Sequence, residues 1–138
     1  MTELVLLDSE AVQALGSPRH PKHRKVVDQT QLVTIRKARQ REISIAVPVT
    51  IRVEAGWDRT AAAWAFANKL RIADVPLDTT QANCAAGVRT RTGVSVADAH
   101  IGAAVHAAAE SAEVAVLTSD PSDIRAVAEG RRVKVIAI

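Results

Sequence analysis

Residues 113–128 read EVAVLTSDPSDIRAVA and combine a short apolar run with the start of a helix. The run from Val114 to Thr118 is rich in β-branched residues and is followed by turn-forming ones, which predicts a buried strand. Asp120 is a favourable N-cap and Pro121 suits the first helical position, so a helix is predicted over residues 122–129. A strand that leads directly into a helix is the repeating unit of a parallel α/β sheet.

The same alternation of apolar runs and Ala-rich helical stretches extends along the whole chain. Because 138 residues suit one hydrophobic core, we predict a single α/β domain over residues 1–138 with a parallel sheet of about five strands. The predicted strands are residues 4–7, 43–47, 72–77, 114–118 and 133–138. The predicted helices are residues 9–15, 22–40, 49–55, 59–70, 79–90, 96–109 and 122–129. Asp58, Asp78 and Ser95 are predicted to cap the helices that follow them.

The composition is that of an ordinary globular protein, with 48% hydrophobic and 24% charged residues. Its single cysteine, Cys84, cannot form an internal disulfide, and no Cys or His pair has zinc-finger spacing. The apolar run near the start is too short for a signal peptide or a membrane span, so the protein is predicted to be cytoplasmic and not bound to a membrane.

Basic residues concentrate between Arg19 and Arg41, although the net charge is only +3. Arg36, Lys37 and Arg39 could give the second predicted helix a positive face that contacts RNA phosphates. A solvated helix face is the equally weighted alternative. With no Tyr and one Phe, the chain offers few side chains on which bases could stack, so any such contact should be mainly to the backbone.

Acidic residues recur where predicted strands end and helices begin. Asp8 closes the first strand and Asp120 follows the fourth, so both should lie at the carboxyl edge of the sheet, where open α/β sheets hold ligands. Asp98 lies in the first turn of its helix, and Glu54 lies in the helix after the second strand. Four acids can therefore converge on one rim.

Each of these acids also has a purely structural interpretation. Asp8 and Asp120 could be N-caps, and Asp98 could complete a capping box with Ser95. No cap explains Glu54, whose alternative is a solvated helix acid near Asp58 or Arg59.

A rim of converging carboxylates would require a cation to offset their mutual repulsion. Carboxylate oxygens suit Mg²⁺ or Mn²⁺, whereas the imidazole and thiolate ligands that suit zinc are missing from these positions. A divalent cation in such a site can bind a phosphate oxygen and activate water, which is the chemistry of a nuclease.

At this point the ordered motifs resemble those of the PIN domain, and specifically of VapC-type toxins. The matching segments span most of the chain: LLDS at 6–9, VPVTIRVE at 47–54, RTRTG at 89–93, ADA at 97–99 and VLTSDPSD at 116–123. The resemblance implies a PIN-like three-layer α/β/α fold with a twisted parallel sheet flanked by helices. It also implies a Mg²⁺- or Mn²⁺-dependent endoribonuclease that acts on RNA, forms a homodimer and is inhibited by a cognate VapB-type antitoxin.

The resemblance also implies roles for individual residues. The catalytic acids would be Asp8, Glu54, Asp98 and Asp120, of which the three aspartates would bind the metal, with Asp123 as an outer candidate. The small hydroxyl residue that supports the site would be Thr118 or Ser119. The sequence departs from the family after Asp98, because His100 stands where an apolar residue is common. His100 is interpreted as a buried helix histidine, with contact to RNA or to the metal's water as the alternative.

Other functions fit the residues less well. A haloacid-dehalogenase-type phosphatase requires Asp-x-Asp after the first strand, where this chain has Asp8-Ser9-Glu10. A response-regulator receiver requires a phosphorylatable Asp at the end of its third strand, which Asp78 fits poorly. The alternative that stays open is a catalytically inactive PIN-like module for binding or dimerisation.

Overall fold

The computed structural model describes residues 2–39 and 42–138, except for the side chain of Lys37. Its strands are β1 (Thr2–Leu7), β2 (Ile43–Pro48), β3 (Ala73–Val75), β4 (Ala112–Thr118) and β5 (Lys134–Ala137). Its helices are α1 (Ser9–Gly16), α2 (His23–Arg39), α3 (Val49–Ala55), α4 (Ala65–Asn68), α5 (Thr79–Thr92), α6 (Val96–Ala108) and α7 (Pro121–Ala128), with a 3₁₀ turn at Ala62–Trp64. The predicted α/β class and the alternation of strands and helices are confirmed.

The five strands form one parallel sheet in the order β3-β2-β1-β4-β5. From the central strand β1, the chain builds outward to β2 and β3 on one side and then returns to add β4 and β5 on the other. The reversal of direction lies between β1 and β4, where Leu6 pairs with Val116 and Leu7 with Leu117. A crevice for ligands forms at such a switch point, outside the carboxyl ends of the strands.

The core lies against the two central strands and along α6. Leu6, Leu7, Val116 and Leu117 are at most 1% exposed, and most of α6 is buried as well. The small residues of α6 let this helix approach its neighbours closely. A Cβ added to Gly102 would lie 2.9 Å from the Val127 carbonyl oxygen, so α6 and α7 pack with no spare room there.

The predicted helix over residues 59–70 is wrong, because this segment forms only the 3₁₀ turn at Ala62–Trp64 and the four-residue helix α4. Asp58 does not cap a helix; its carboxylate instead accepts hydrogen bonds from the backbone N–H and the hydroxyl of Thr60, which close a tight turn. The Ala-rich composition favours a helix, but contacts with the rest of the fold override that preference.

The tertiary contacts that interrupt this segment centre on Trp57. Trp57 is 2% exposed, and its ring stacks on that of the partly buried Trp64 with the centroids 5.7 Å apart. Arg59 lies over the Trp57 ring and bonds to the Ile72 carbonyl oxygen, and the indole N–H donates to Asn68. These bonds hold residues 57–68 in an irregular path.

The other boundaries differ from the prediction by a few residues. The third strand is only Ala73–Val75, because Pro76 lacks the N–H needed to extend it. The second helix was predicted to end at Gln40, which lies outside the described residues. Within the described residues, α2 extends to Arg39. Within residues 2–39 and 42–138, no helix has the length and apolar character needed to cross a membrane.

Candidate active site

Asp8 lies at the switch point, directly after β1, and is 7% exposed. Its backbone N–H donates to the Leu117 carbonyl oxygen of the neighbouring strand at 3.0 Å. One carboxylate oxygen accepts from the Ser9 N–H at 2.6 Å, and the other accepts from the Thr118 hydroxyl at 2.6 Å. Asp8 is therefore both the N-cap of α1 and a carboxylate with a fixed orientation.

Thr118 connects two of the predicted site residues from the end of β4. Its buried hydroxyl donates to Asp8 and accepts from the backbone N–H of Asp120 at 2.9 Å. Ser119, the other hydroxyl candidate, is exposed. Of the two, Thr118 is the one that holds acids in place.

Asp120 and Asp123 form a coupled pair at the start of α7. Asp120 is the N-cap of this helix, and its Oδ1 accepts from the Asp123 N–H at 3.3 Å and from the Ser122 hydroxyl at 3.1 Å. These hydrogen bonds, led by the one from the Asp123 backbone, lower the pKa of Asp120. A hydrogen bond to Asp120, followed by burial and the charges of Asp120 and Asp8, raises the pKa of Asp123. The two carboxyls share one set of hydrogen bonds, so the titration of each depends on the other.

Asp98 is the acid most affected by its surroundings. Burial, followed by the charge of Asp8, raises its pKa to about 6, even though a hydrogen bond with the Ser95 side chain acts in the opposite direction. The charges of Asp123 and Glu54 contribute further to the increase. Asp8, Asp123 and Glu54 therefore all lie within electrostatic reach of Asp98.

Glu54 is exposed on α3 and joins the cluster through its charge on Asp98. The neighbouring arginines are bound elsewhere, because Arg52 and Arg59 both form ion pairs with Asp74, at 3.0 and 2.8 Å. Arg59 therefore pairs with Asp74 and not with Glu54.

We call Asp8, Glu54, Asp98, Asp120 and Asp123 the rim acids. Over residues 2–39 and 42–138, no Lys, Arg or His forms an ion pair with any of them. Asp123, predicted only as an outer candidate, interacts through its charge with Asp8 and Asp98. Asp120 interacts through its charge with Asp123. The sequence did not show that Asp120 and Asp123 differ in this way.

The donor set fits a hard divalent cation, since every rim acid offers carboxylate oxygen. Among the described residues, no three His, Cys, Asp or Glu side chains lie close enough together to hold a metal ion. The rim acids stand apart, as expected for like charges, so binding a cation would require their side chains to move inward.

Of the basic stretch, Arg36 lies at the opposite edge of the sheet from the rim acids. Arg36 forms an ion pair of 2.7 Å with Glu3, which lies at the amino end of β1. Arg39 is the last residue of α2, and the side chain of Lys37 lies outside the described residues. RNA contact by these residues stays a prediction, and the charge of Arg36 already has a partner.

His100 is fully buried in α6, in agreement with its interpretation as a core histidine. Its Nδ1 lies 2.9 Å from the Thr50 hydroxyl and its Nε2 lies 3.3 Å from the Pro76 carbonyl oxygen. Burial lowers the pKa of the ring. Sequence reasoning missed Thr50 and Pro76 as partners, because they lie 50 and 24 residues from His100.

Comparison with known proteins identifies the fold. No protein-family model and no curated protein matches the sequence. Among solved structures, the chain is similar to one in the crystal structure of VapBC2 from Rickettsia felis bound to a DNA fragment from its promoter. The TM-score is 0.61 and the match covers 98% of this chain and 98% of that chain, with 11% sequence identity. At this identity the likeness shows a shared fold, and it confirms the predicted PIN-like architecture.

Proposed function

We propose that this protein is a metal-dependent endoribonuclease that acts as the toxin of a VapC-type toxin–antitoxin pair. The observation that carries the proposal is the set of rim acids at the switch point of the sheet, without a basic partner among the described residues and with a pKa of about 6 at Asp98. A protein gains nothing in stability from such repulsion. A divalent cation would relieve it and give the cluster a function.

In this proposal, Asp8, Asp98 and Asp123 hold the cation, and Glu54 and Asp120 complete the site. A bound Mg²⁺ or Mn²⁺ supplies Lewis-acid chemistry, in which it neutralises charge on a phosphate and activates water. Asp8 offers a carboxylate oriented by Thr118 and Ser9. Asp98 must be ionised to bind the cation, and with a pKa of about 6 it is protonated in acid, so binding should weaken as the pH falls below about 6.

The proposed reaction is hydrolysis of an RNA phosphodiester bond. Water adds to phosphorus and the bond from phosphorus to the 3′ oxygen breaks, which leaves a 5′-phosphate and a 3′-hydroxyl.

The rim acids do not line an enclosed pocket, which suits a polymeric substrate better than a small molecule. A groove of about 570 Å³ between α5 and α6 is lined mainly by apolar residues and includes none of the rim acids.

The proposed partners follow from the resemblance, and the shared fold with a chain of a VapBC2 complex supports the antitoxin among them. They are an RNA substrate, a VapB-type antitoxin that covers the rim acids, and a second copy of this chain. We propose further that residues 1–138 form one PIN domain that acts in the cytoplasm. Exposed apolar side chains suited to a dimer contact include Val96 and Leu77, which both line the groove between α5 and α6.

The decisive experiment is cleavage of a mixed pool of structured RNAs by the purified protein, free of antitoxin, with Mn²⁺ or Mg²⁺. We expect cleavage that disappears with EDTA and in Asp98→Asn, and that persists in Asp28→Asn, a matched change at an exposed residue of α2. Cleavage that survives EDTA or Asp98→Asn would contradict the proposed site. If no RNA is cut under any condition, the inactive binding module becomes the better description.

A further inference from the structure

His100 is a fully buried polar residue at a junction of three segments. It projects from α6, two residues after Asp98, and contacts Thr50 in α3 and Pro76 in the loop after β3. These two hydrogen bonds belong neither to the pairing of the strands nor to the apolar packing of the core. His100 also lies outside the set of residues proposed to bind the cation.

The hydrogen-bond directions at His100 follow from its partners. The Pro76 carbonyl oxygen can only accept, so Nε2 of the neutral ring carries the hydrogen and donates to it. Nδ1 is then an acceptor, and the Thr50 hydroxyl donates to it at 2.9 Å. Both ring nitrogens are thereby satisfied, which makes the junction specific in orientation as well as in distance.

Helix α3 is tied to β3 by the Arg52–Asp74 ion pair, but among the described residues only one side-chain hydrogen bond fixes its position along α6. It has only seven residues, and its N-cap, Pro48, makes no side-chain capping hydrogen bond. Ile51 is its one residue in the buried core, and apolar packing tolerates small shifts better than a hydrogen bond does. The Thr50–His100 hydrogen bond is therefore the directional contact between the two helices.

Thr50 and Glu54 are four residues apart on α3, so they lie on the same face of the helix, one turn apart. On α6, Asp98 and His100 are two positions apart, so their side chains leave the same turn of the helix in different directions. A bond from Thr50 to His100 thus sets the height and rotation of Glu54 relative to Asp98, whose charges already interact.

We propose that His100 is a positioning residue, which, through its hydrogen bond with Thr50, holds Glu54 at the correct separation from Asp98 for the rim acids to bind a divalent cation. The inference rests on the proposed metal-dependent function. His100 does not touch the cation, the substrate or the reacting atoms, so its contribution lies in the affinity for the metal.

The test uses Thr50→Val, which removes the hydroxyl and keeps the branched shape, so that His100 loses only its partner. Thr50→Ser restores the hydroxyl. His100→Gln is the second variant. Its side-chain amide N–H can still donate to the Pro76 carbonyl oxygen, but it has no atom at the position of Nδ1 to accept from the Thr50 hydroxyl. His106→Gln is the matched control, because His106 lies on the same helix and bonds to Val127, far along α6 from Asp98.

Isothermal titration with Mn²⁺, on samples shown to be folded by circular dichroism, gives the dissociation constant of each variant. We expect Thr50→Val and His100→Gln to weaken Mn²⁺ binding about tenfold, the lower end of what outer-shell partners contribute, and Thr50→Ser to retain it. We expect His106→Gln to melt at a lower temperature with unchanged Mn²⁺ affinity, which separates positioning from general stability.

The outcomes distinguish this inference from the proposed function. If the wild-type protein binds Mn²⁺ and folded Thr50→Val binds it equally well, the positioning role is overturned and the proposed function is unaffected. If the wild-type protein binds no Mn²⁺, both are overturned.

Discussion

At the scale of single residues, Asp98 should make the stability of the metal-free protein depend on pH. Its pKa is about 6 in the folded protein against 3.8 for the ordinary group, so between these values the folded state holds a proton that the unfolded chain has released. The free energy of unfolding should therefore fall as pH rises through this window, and the penalty should be complete above it.

Asp98→Asn removes this titration. In EDTA, we expect the variant to gain about 1 kcal/mol relative to wild type between pH 4 and pH 7, less than the full value of the shift because solvent screens the half-exposed carboxyl. Urea unfolding at the two pH values measures it. The same difference in Asp28→Asn, or none in Asp98→Asn, would contradict the assignment.

Thr118 provides a second test at this scale, because its buried hydroxyl serves Asp8 and Asp120 together. Thr118→Val keeps the shape but leaves a carboxylate oxygen and a backbone N–H without this partner, which should cost about 1–3 kcal/mol in the free energy of unfolding. Thr118→Ser retains the hydroxyl and should cost less. Equal losses in the two variants would mean that packing of the methyl group, rather than hydrogen bonding, accounts for the effect.

The residues that sequence reasoning identified are those with local signatures. Asp8, Asp120 and Ser95 are helix caps as well as site residues or their neighbours, and capping depends only on nearby sequence. The effect of the Asp8 charge on the pKa of Asp123 links residues 115 positions apart, so it depends on the fold and has no local signature.

At the scale of elements, the packing of α6 limits what the sequence can accept. A Cβ at Gly102 would lie 2.9 Å from the Val127 carbonyl oxygen and 3.2 Å from Val88 Cγ1, so α5, α6 and α7 would have to separate. We expect Gly102→Ala to cost about 1–3 kcal/mol in urea unfolding.

Gly87→Ala is the matched control, on α5. Its Cβ would meet only the far end of the long Arg91 side chain, which can shift while it stays paired with Glu129, so the better helix propensity of Ala should stabilise the protein by about 0.5–1 kcal/mol. A comparable loss in both variants would argue against tight packing at Gly102 as the cause.

Elements with strong periodicity and clear caps were predictable, and the segment after α3 was not. Residues 59–70 have the composition of a helix, but Trp57, Arg59 and Asn68 bond to partners that fix an irregular path. Helix propensity determines the local structure only where tertiary contacts do not favour another conformation. In residues 59–70, tertiary contacts favour the irregular path.

At the scale of the whole molecule, the alternation of strands and helices predicted a parallel sheet but not its order. The strand order β3-β2-β1-β4-β5 depends on which faces pack, and the pairing of β1 with β4 puts Asp8, directly after β1, beside Thr118 of β4. The same order gathers acids from four separate parts of the chain, so the charge repulsion between these parts is a property of the folded state only.

This leads to a prediction about the molecule's overall stability. A cation that binds the folded rim and not the unfolded chain stabilises by mass action, by about 1.4 kcal/mol for every tenfold excess over its dissociation constant. For a chain of 138 residues, about 1 kcal/mol corresponds to a rise in Tm of about 3–5 °C.

We therefore expect millimolar Mn²⁺ to raise the Tm of the wild-type protein and of Asp28→Asn, followed by circular dichroism, and EDTA to reverse the rise. In Asp98→Asn the rise should be largely lost, although this variant should be the more stable one without metal at neutral pH, because the repulsion that weakens the folded state is also what attracts the cation. A rise of equal size in Asp98→Asn would mean that Mn²⁺ binds elsewhere on the protein, and the rim acids would lose their assigned role.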